Sequence, residues 1–266
     1  MGDYRRIHMK KIVTICAALL ALSALSAKPK KVEINSVADL EGKKIGVQAG
    51  TTGELYVQEE VPNAKLSSFK SGMDAAMDLK NGAIDAVVLD ELPAIQIVKR
   101  NPKLKIIRDP YFAANKEEYA IAIKKGNADL LNTINATIAD LKANGGYEAL
   151  VAAFMPADGN IQIPANENGK GSKKLKLGTN AAFPPFEYVE GTDVVGFDIT
   201  MGQKIAVKAD AKLEVIDMAF DSLIPALQAG TIDFIAAGMS VTEERKKNVD
   251  FSDTYFASEQ VIIVRK

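Results

Sequence analysis

The sequence holds one cysteine and one histidine, Cys16 and His8, and both lie in its first 27 residues. From residue 28 onward neither occurs. That absence removes several kinds of chemistry from the body of the chain: no Cys nucleophile, Ser-His-Asp triad, His general base or Cys/His zinc site can be built there. Basic clusters interleaved with aromatics are missing too. The formal net charge is −1 over 266 residues; without the first 27, which carry four basic residues and one acidic, it is −4. With that sign and no basic patch, no nucleic-acid partner is expected.

Long hydrophobic runs are also scarce. The apolar stretch Ile12 to Leu25 follows Arg5, Arg6, Lys10 and Lys11 and ends in Ser26-Ala27. It is short for a membrane anchor, and residues 1–27 read as an export signal peptide. Val13-Thr14-Ile15 makes a poor lipidation box before Cys16, so a soluble, cleaved product is expected. Met9 offers an alternative start. No apolar span follows Val264, which reads against a sensor module feeding a receptor.

What is present is an alternation of short helices and apolar strands, with 47 % hydrophobic residues to supply cores. Strands are expected at Lys44 to Gln48, Ile84 to Leu89 and Lys105 to Arg108, with helices at Glu54 to Glu60, Gly72 to Asn81 and Ala94 to Arg100. Tyr119 to Lys124 reads as one strand, and Asp129 to Asn144 and Tyr147 to Phe154 as helices. Pro156 to Lys174, rich in Gly, Pro and Asn, has almost nothing to bury and reads as a linker. The α/β pattern then resumes: strands Leu175 to Gly178, Val194 to Phe197, Lys212 to Asp217 and Ile232 to Ala236, with helices Ile199 to Lys208 and Asp221 to Ala229. Gln260 to Val264 is a final buried-type strand. Such alternation implies parallel sheets, whose ligands bind beyond the carboxyl ends of the strands.

Ile232 to Ala236 runs into Ala237, Gly238 and Ser240, then into Thr242-Glu243-Glu244-Arg245, a capped helix start. Exposed N–H groups, the Ser240 hydroxyl and the Arg245 guanidinium suit a planar carboxylate. The alternative is a capped helix with Arg245 as a solvated charge. Gly50-Thr51-Thr52-Gly53 follows a strand without the Lys-Ser/Thr pair of a phosphate loop, and reads as a small-anion or hydroxyl-donating loop. Asp90 ends a strand but also suits a helix cap ahead of Pro93.

Residues 76–88 echo residues 225–236: helix end, Gly stop, Ile-Asp, buried strand. The echo favours two similarly built lobes around a cleft. Leu177-Gly178-Thr179-Asn180-Ala181-Ala182-Phe183-Pro184-Pro185-Phe186-Glu187, Val195-Gly196-Phe197-Asp198-Ile199, Phe220-Asp221-Ser222-Leu223 and Gly238 to Arg245 resemble the solute-binding proteins of polar amino-acid ABC importers, as do Val37 to Val47, Gly50 to Gly53 and Asp85 to Asp90. The resemblance implies the two-lobed periplasmic-binding-protein (type II, Venus-flytrap) α/β fold with a hinge and interlobe cleft. It also implies a periplasmic location, an amino-acid ligand, a membrane permease as partner, and no cofactor, metal or catalysis. Dehydratases acting on cyclohexadienyl acids share this fold and are the alternative, with Glu54, Glu91 or Glu187 as candidate acids.

In that family the segment resembling 175–266 precedes the one resembling 37–155, so the chain is expected to be circularly permuted. The expected division is 34–112 for one lobe and 113–266 for the other, with 156–174 joining the family's original ends. One interlobe crossing would be covalent and the second only packed, and strand exchange between two molecules could restore it as a swapped homodimer. The resemblance assigns Arg245, Ala237, Gly238, Ser240 and Thr52 to a ligand α-carboxylate and Asp90 to its ammonium. Phe183 and Phe220, core residues on sequence alone, become walls around the ligand side chain. Asn180, Gln48 and Thr51 line the specificity end, where an amide in place of an acid suits a polar ligand, uncharged or basic.

Overall fold

The computed structural model describes residues 33–266. The signal-peptide reading of residues 1–27, with Cys16 and His8, lies outside the described residues.

The first sheet is built on β1 (Lys44–Gln48), flanked by parallel neighbours β2 (Lys65–Phe69) and β3 (Ala86–Asp90). Four of the five β1 residues and all five of β3 are buried, as expected for strands covered on both faces. Helices Thr52–Glu60, Gly72–Asn81 and Glu91–Arg100 follow β1, β2 and β3. Thr51 and Ser71 cap the first two, each accepting a backbone N–H three residues on. Helix 72–81 lies close over β1 because position 46 is glycine; a Cβ there would stand 2.5 Å from Ile84 Cδ1 and 3.2 Å from Ala75 Cβ.

The sheet is completed by β4 (Leu104–Ile107) and by the chain's last strand, β15 (Gln260–Arg265), in the order β2-β1-β3-β15-β4. β15 is antiparallel to both neighbours, and Lys266 N–H donates to the Lys103 carbonyl at 2.9 Å. This corrects the expected division at residues 112 and 113, because the far end of the chain belongs to the sheet of residues 34–112. A strand with five of its six residues buried needs partners on both edges, and that sheet supplies them.

The second sheet has the order β11-β7-β12-β6-β13. It contains β6 (Ala122–Lys124), β7 (Lys173–Thr179), β11 (Ala211–Asp217), β12 (Phe234–Ile235) and β13 (Val249–Phe251). Helices Phe197–Lys208, Leu223–Ala229, Ala128–Ala143 and Gly146–Phe154 belong to this half. A small antiparallel sheet, β8 (Ala182–Phe183), β9 (Glu187–Glu190) and β10 (Asp193–Val195), sits at its margin.

The predicted strand Tyr119 to Lys124 is two strands. β5 (Glu117–Tyr119) pairs antiparallel with β14 (Phe256–Ser258), and the chain enters the second sheet only at β6. These paired segments are the two passages between the sheets, and both are covalent. The expectation of one packed crossing fails, and with it the reason for strand exchange between two molecules. Residues 156–172, inside the predicted linker, carry no regular structure, while β7 begins at Lys173, one residue before its end. The result is a two-lobed α/β molecule with a double-stranded hinge.

Candidate functional site

The carboxyl ends of β1, β3 and β7 point toward a common small cavity. Gln48, Thr51, Thr52 and Asp90 line it from the first sheet; Phe183, Phe220, Ala237, Gly238, Ser240 and Arg245 line it from the second. Asn180 stands next to it, accepting from Gln48 Nε2 at 2.9 Å across the cleft and donating to the Met218 carbonyl at 2.8 Å. All eleven residues singled out in the sequence are thus brought to one place.

Arg245 is 8 % exposed, which rules out a solvated surface charge. Its Nη1 donates to the Ser240 carbonyl at 2.7 Å and its Nη2 to the Gly50 carbonyl of the opposite lobe at 2.9 Å. The guanidinium carbon lies 5.4 Å from the centre of the Phe220 ring, within cation–π range. Burial lowers its pKa from the ordinary arginine value, and Glu117 and Asp90 act in the opposite sense. The helix expected after Thr242 is one turn, Glu243–Lys246, capped by Thr242 Oγ1 on the Arg245 N–H at 3.1 Å. Its role is to set the stem of Arg245 rather than to present a bare helix mouth. Before it, Gly238 adopts φ +52°, and a Cβ there would stand 2.7 Å from Phe183 Cε1, so glycine lets the loop touch the aromatic wall.

Asp90 does not cap the helix that follows it. Its Oδ1 faces inward and accepts from Tyr119 Oη at 2.5 Å and Ser258 Oγ at 3.2 Å. Burial and then the neighbouring Glu117 carboxylate push its pKa up to about 7, against the pull of its hydroxyl and amide donors. Among the described residues no cationic side chain forms an ion pair with it.

Glu117 was not legible in the sequence, and Glu187 and Asp198, which lie in the quoted motifs, were given no part in the binding site there. Glu117 lies in Lys116-Glu117-Glu118, which looks like a solvated charge run, yet it is half-buried. Its Oε2 accepts from Thr52 Oγ1 at 2.7 Å and from Ser240 Oγ, and its Oε1 from Gln260 Nε2 at 3.1 Å. Glu187 lines the cavity fully buried beside Asp198. Asp198 Oδ2 accepts from the Gly238 N–H at 2.8 Å and from Tyr255 Oη at 2.7 Å. Neither Glu187 oxygen nor Asp198 Oδ1 meets a hydrogen-bond donor among the described residues. Burial raises the pKa of Asp198 to about 6 and holds that of Glu187 well above the ordinary range, with Asp198 adding to the latter. The two carboxyls satisfy each other only by keeping a proton between them.

Residues 175–266 match the model of the bacterial extracellular solute-binding proteins, family 3. The chain is 48 % identical over 101 residues to the arginine-binding extracellular protein ArtP of Bacillus subtilis (strain 168), covering 38 % of this chain and 39 % of that protein. It is 36 % identical over 132 residues to the ABC transporter arginine-binding protein 1 of Escherichia coli (strain K12), covering 48 % and 53 %. To the L-cystine-binding protein TcyJ of the same organism it is 32 % identical over 138 residues, covering 52 % and 51 %. The chain therefore spans about half or less of the length of these relatives. The matched segment, residues 175–266, supplies Arg245, Ser240 and both aromatic walls of the cavity, and it is this segment that is similar to the bacterial extracellular solute-binding proteins, family 3.

Proposed function

We propose that the protein binds a polar amino acid between its lobes and delivers it to the membrane permease of an ABC importer, outside the cytoplasm. One observation carries this reading: a buried guanidinium and a buried carboxylate, Arg245 and Asp90, reach one cavity from opposite sheets. That is the charge pattern of a zwitterion's complement. Arg245, Ser240, Thr52 and the backbone at Ala237 and Gly238 take the α-carboxylate, Asp90 the ammonium, and Phe183 and Phe220 flank the side chain. Gln48 and Asn180, already bonded across the cleft, meet its far end. Arginine is the first candidate, from the names of two relatives. Binding favours closure because only the closed arrangement engages both poles.

The order of segments supports a circular permutation. The family match occupies the last third of this chain, after the segment that builds the first sheet. The dehydratase alternative has no support. Of its candidate acids, Glu187 alone lines the cavity, buried against Asp198; Glu91 is held by Arg108 at 2.5 Å, and Glu54 accepts from the Gly50 N–H at 2.7 Å and from Ser68 Oγ, and neither of these two lines it.

A thermal-shift screen of the common amino acids, followed by calorimetry, tests the reading. Arg245→Ala and Asp90→Ala are each expected to weaken binding by about a hundredfold or more, since each leaves one pole of the ligand buried without a partner. Unchanged affinity in either variant would overturn the assignment.

A further inference from the structure

Glu117 belongs to neither wall of the cavity. It lies on β5, in the passage between the lobes, and its carboxylate reaches toward the carboxylate end of the site. One oxygen, Oε2, accepts from Thr52 Oγ1 on the first-sheet side and from Ser240 Oγ on the second. The other accepts from Gln260 Nε2, at the start of β15 in the second passage. Thr52 and Ser240 are the two hydroxyls that the proposed function gives to the ligand's α-carboxylate. A carboxylate of the chain therefore already holds both.

Resting on that reading, we infer that Glu117 is a tethered stand-in for the ligand's carboxylate: it bridges Thr52 and Ser240 to hold the lobes together, and an incoming amino acid must displace it. Three features support this. The bridged hydroxyls come from opposite lobes, so their shared acceptor acts as a latch. Arg245 does not engage Glu117 directly and spends its two terminal nitrogens on the carbonyls of Ser240 and Gly50, leaving the hydroxyls to the glutamate. Glu117 also lies near enough to Asp90 to disfavour its charged form, so withdrawal of Glu117 readies the ammonium pole as it frees the carboxylate pole. One displacement serves both ends of a zwitterion.

The test compares wild type, Glu117→Gln and Glu117→Ala by small-angle X-ray scattering without amino acid and by calorimetry with L-arginine. Without amino acid, the Ala variant should have a larger radius of gyration than wild type, and Glu117→Gln, which keeps the length but loses the charge-assisted bonds, an intermediate one. An unchanged radius would overturn the latch whatever the ligand proves to be. With L-arginine, the Ala variant should bind about tenfold more tightly, the scale of one lost charge-assisted competitor. Equal or weaker binding would make Glu117 a ligand partner or a bystander and sink the inference while leaving the amino-acid reading intact. Failure of every common amino acid to bind any of the three proteins would instead sink the proposed function, with the scattering comparison still deciding the latch.

Discussion

Two kinds of buried acid sit around this cavity, and they differ in what satisfies them. Asp90 has hydroxyl donors but, among the described residues, no ion-paired cation, so a ligand ammonium finds a carboxylate whose charge it stabilises. Glu187 and Asp198 have each other, and a proton must stay between them. That pairing has a pH signature. In the unfolded chain both carboxyls titrate near about pH 4, whereas in the folded protein burial raises Asp198 to about 6 and holds Glu187 well above its ordinary value. The folded state binds more protons over this interval, so the pair's contribution is whole below about pH 4 and is lost as pH rises through the folded pKa values. Glu187→Gln places a permanent amide donor against Asp198 and removes one titrating group. Thermal unfolding of wild type and variant from about pH 5 to about pH 8 should show the variant gaining on wild type as pH rises, by on the order of 2 kcal/mol. Parallel curves would mean that no proton is shared there.

Elements were legible where their residues answer to local rules. Strand Lys44 to Gln48 and helix Gly72 to Asn81 were expected at the positions the structure gives them, because a buried parallel strand is an apolar run and a Ser cap and Gly stop bracket the helix. β2 was missed, since Lys65-Leu66-Ser67-Ser68-Phe69 is a half-exposed edge strand whose pattern is weak. The split of Tyr119 to Lys124 was also hidden, because nothing local says that a strand changes sheet after Tyr119. Site residues that belong to recurrent motifs were found, while Glu117 lies outside them, and the pairing of Glu187 with Asp198 depends on what faces each across the fold. The glycine of Val195-Gly196-Phe197-Asp198 shows the motif's physical content. Gly196 has φ +139°, and a Cβ there would lie 2.0 Å from the Phe186 carbonyl oxygen and 2.9 Å from Glu187 Cα. Only glycine lets helix Phe197–Lys208 begin against β9, the packing that brings Asp198 to Glu187. Gly196→Ala should therefore cost about 2 kcal/mol or more in denaturant unfolding, through a backbone clash that no side-chain rotation relieves. A change within about 0.5 kcal/mol would show that the helix start moves freely.

At the scale of the whole molecule, the feature that composition and periodicity could not reveal is that the first described residues pack against the last strand. Ile34 and Val264 share one apolar cluster beneath the first sheet, and β15 lies in the interior of that sheet between β3 and β4. Both passages between the lobes stay within one chain, which predicts a monomer in scattering or sedimentation even at high concentration, with dimer growing in as the contrary result. The same geometry predicts that the order of segments is interchangeable. Joining Lys266 to Glu33 through a short flexible linker, and opening the chain within residues 157–171, which hold no strand or helix, moves the break from the first sheet to the stretch that joins helix Gly146–Phe154 to β7. Every strand pairing survives that exchange, and loop closure alters stability only slowly with loop length. The rearranged protein should unfold in one cooperative transition and bind L-arginine within about threefold of the original, a difference of less than about 1 kcal/mol. Loss of binding with the fold retained would show instead that the break beside β15 is part of how the lobes close.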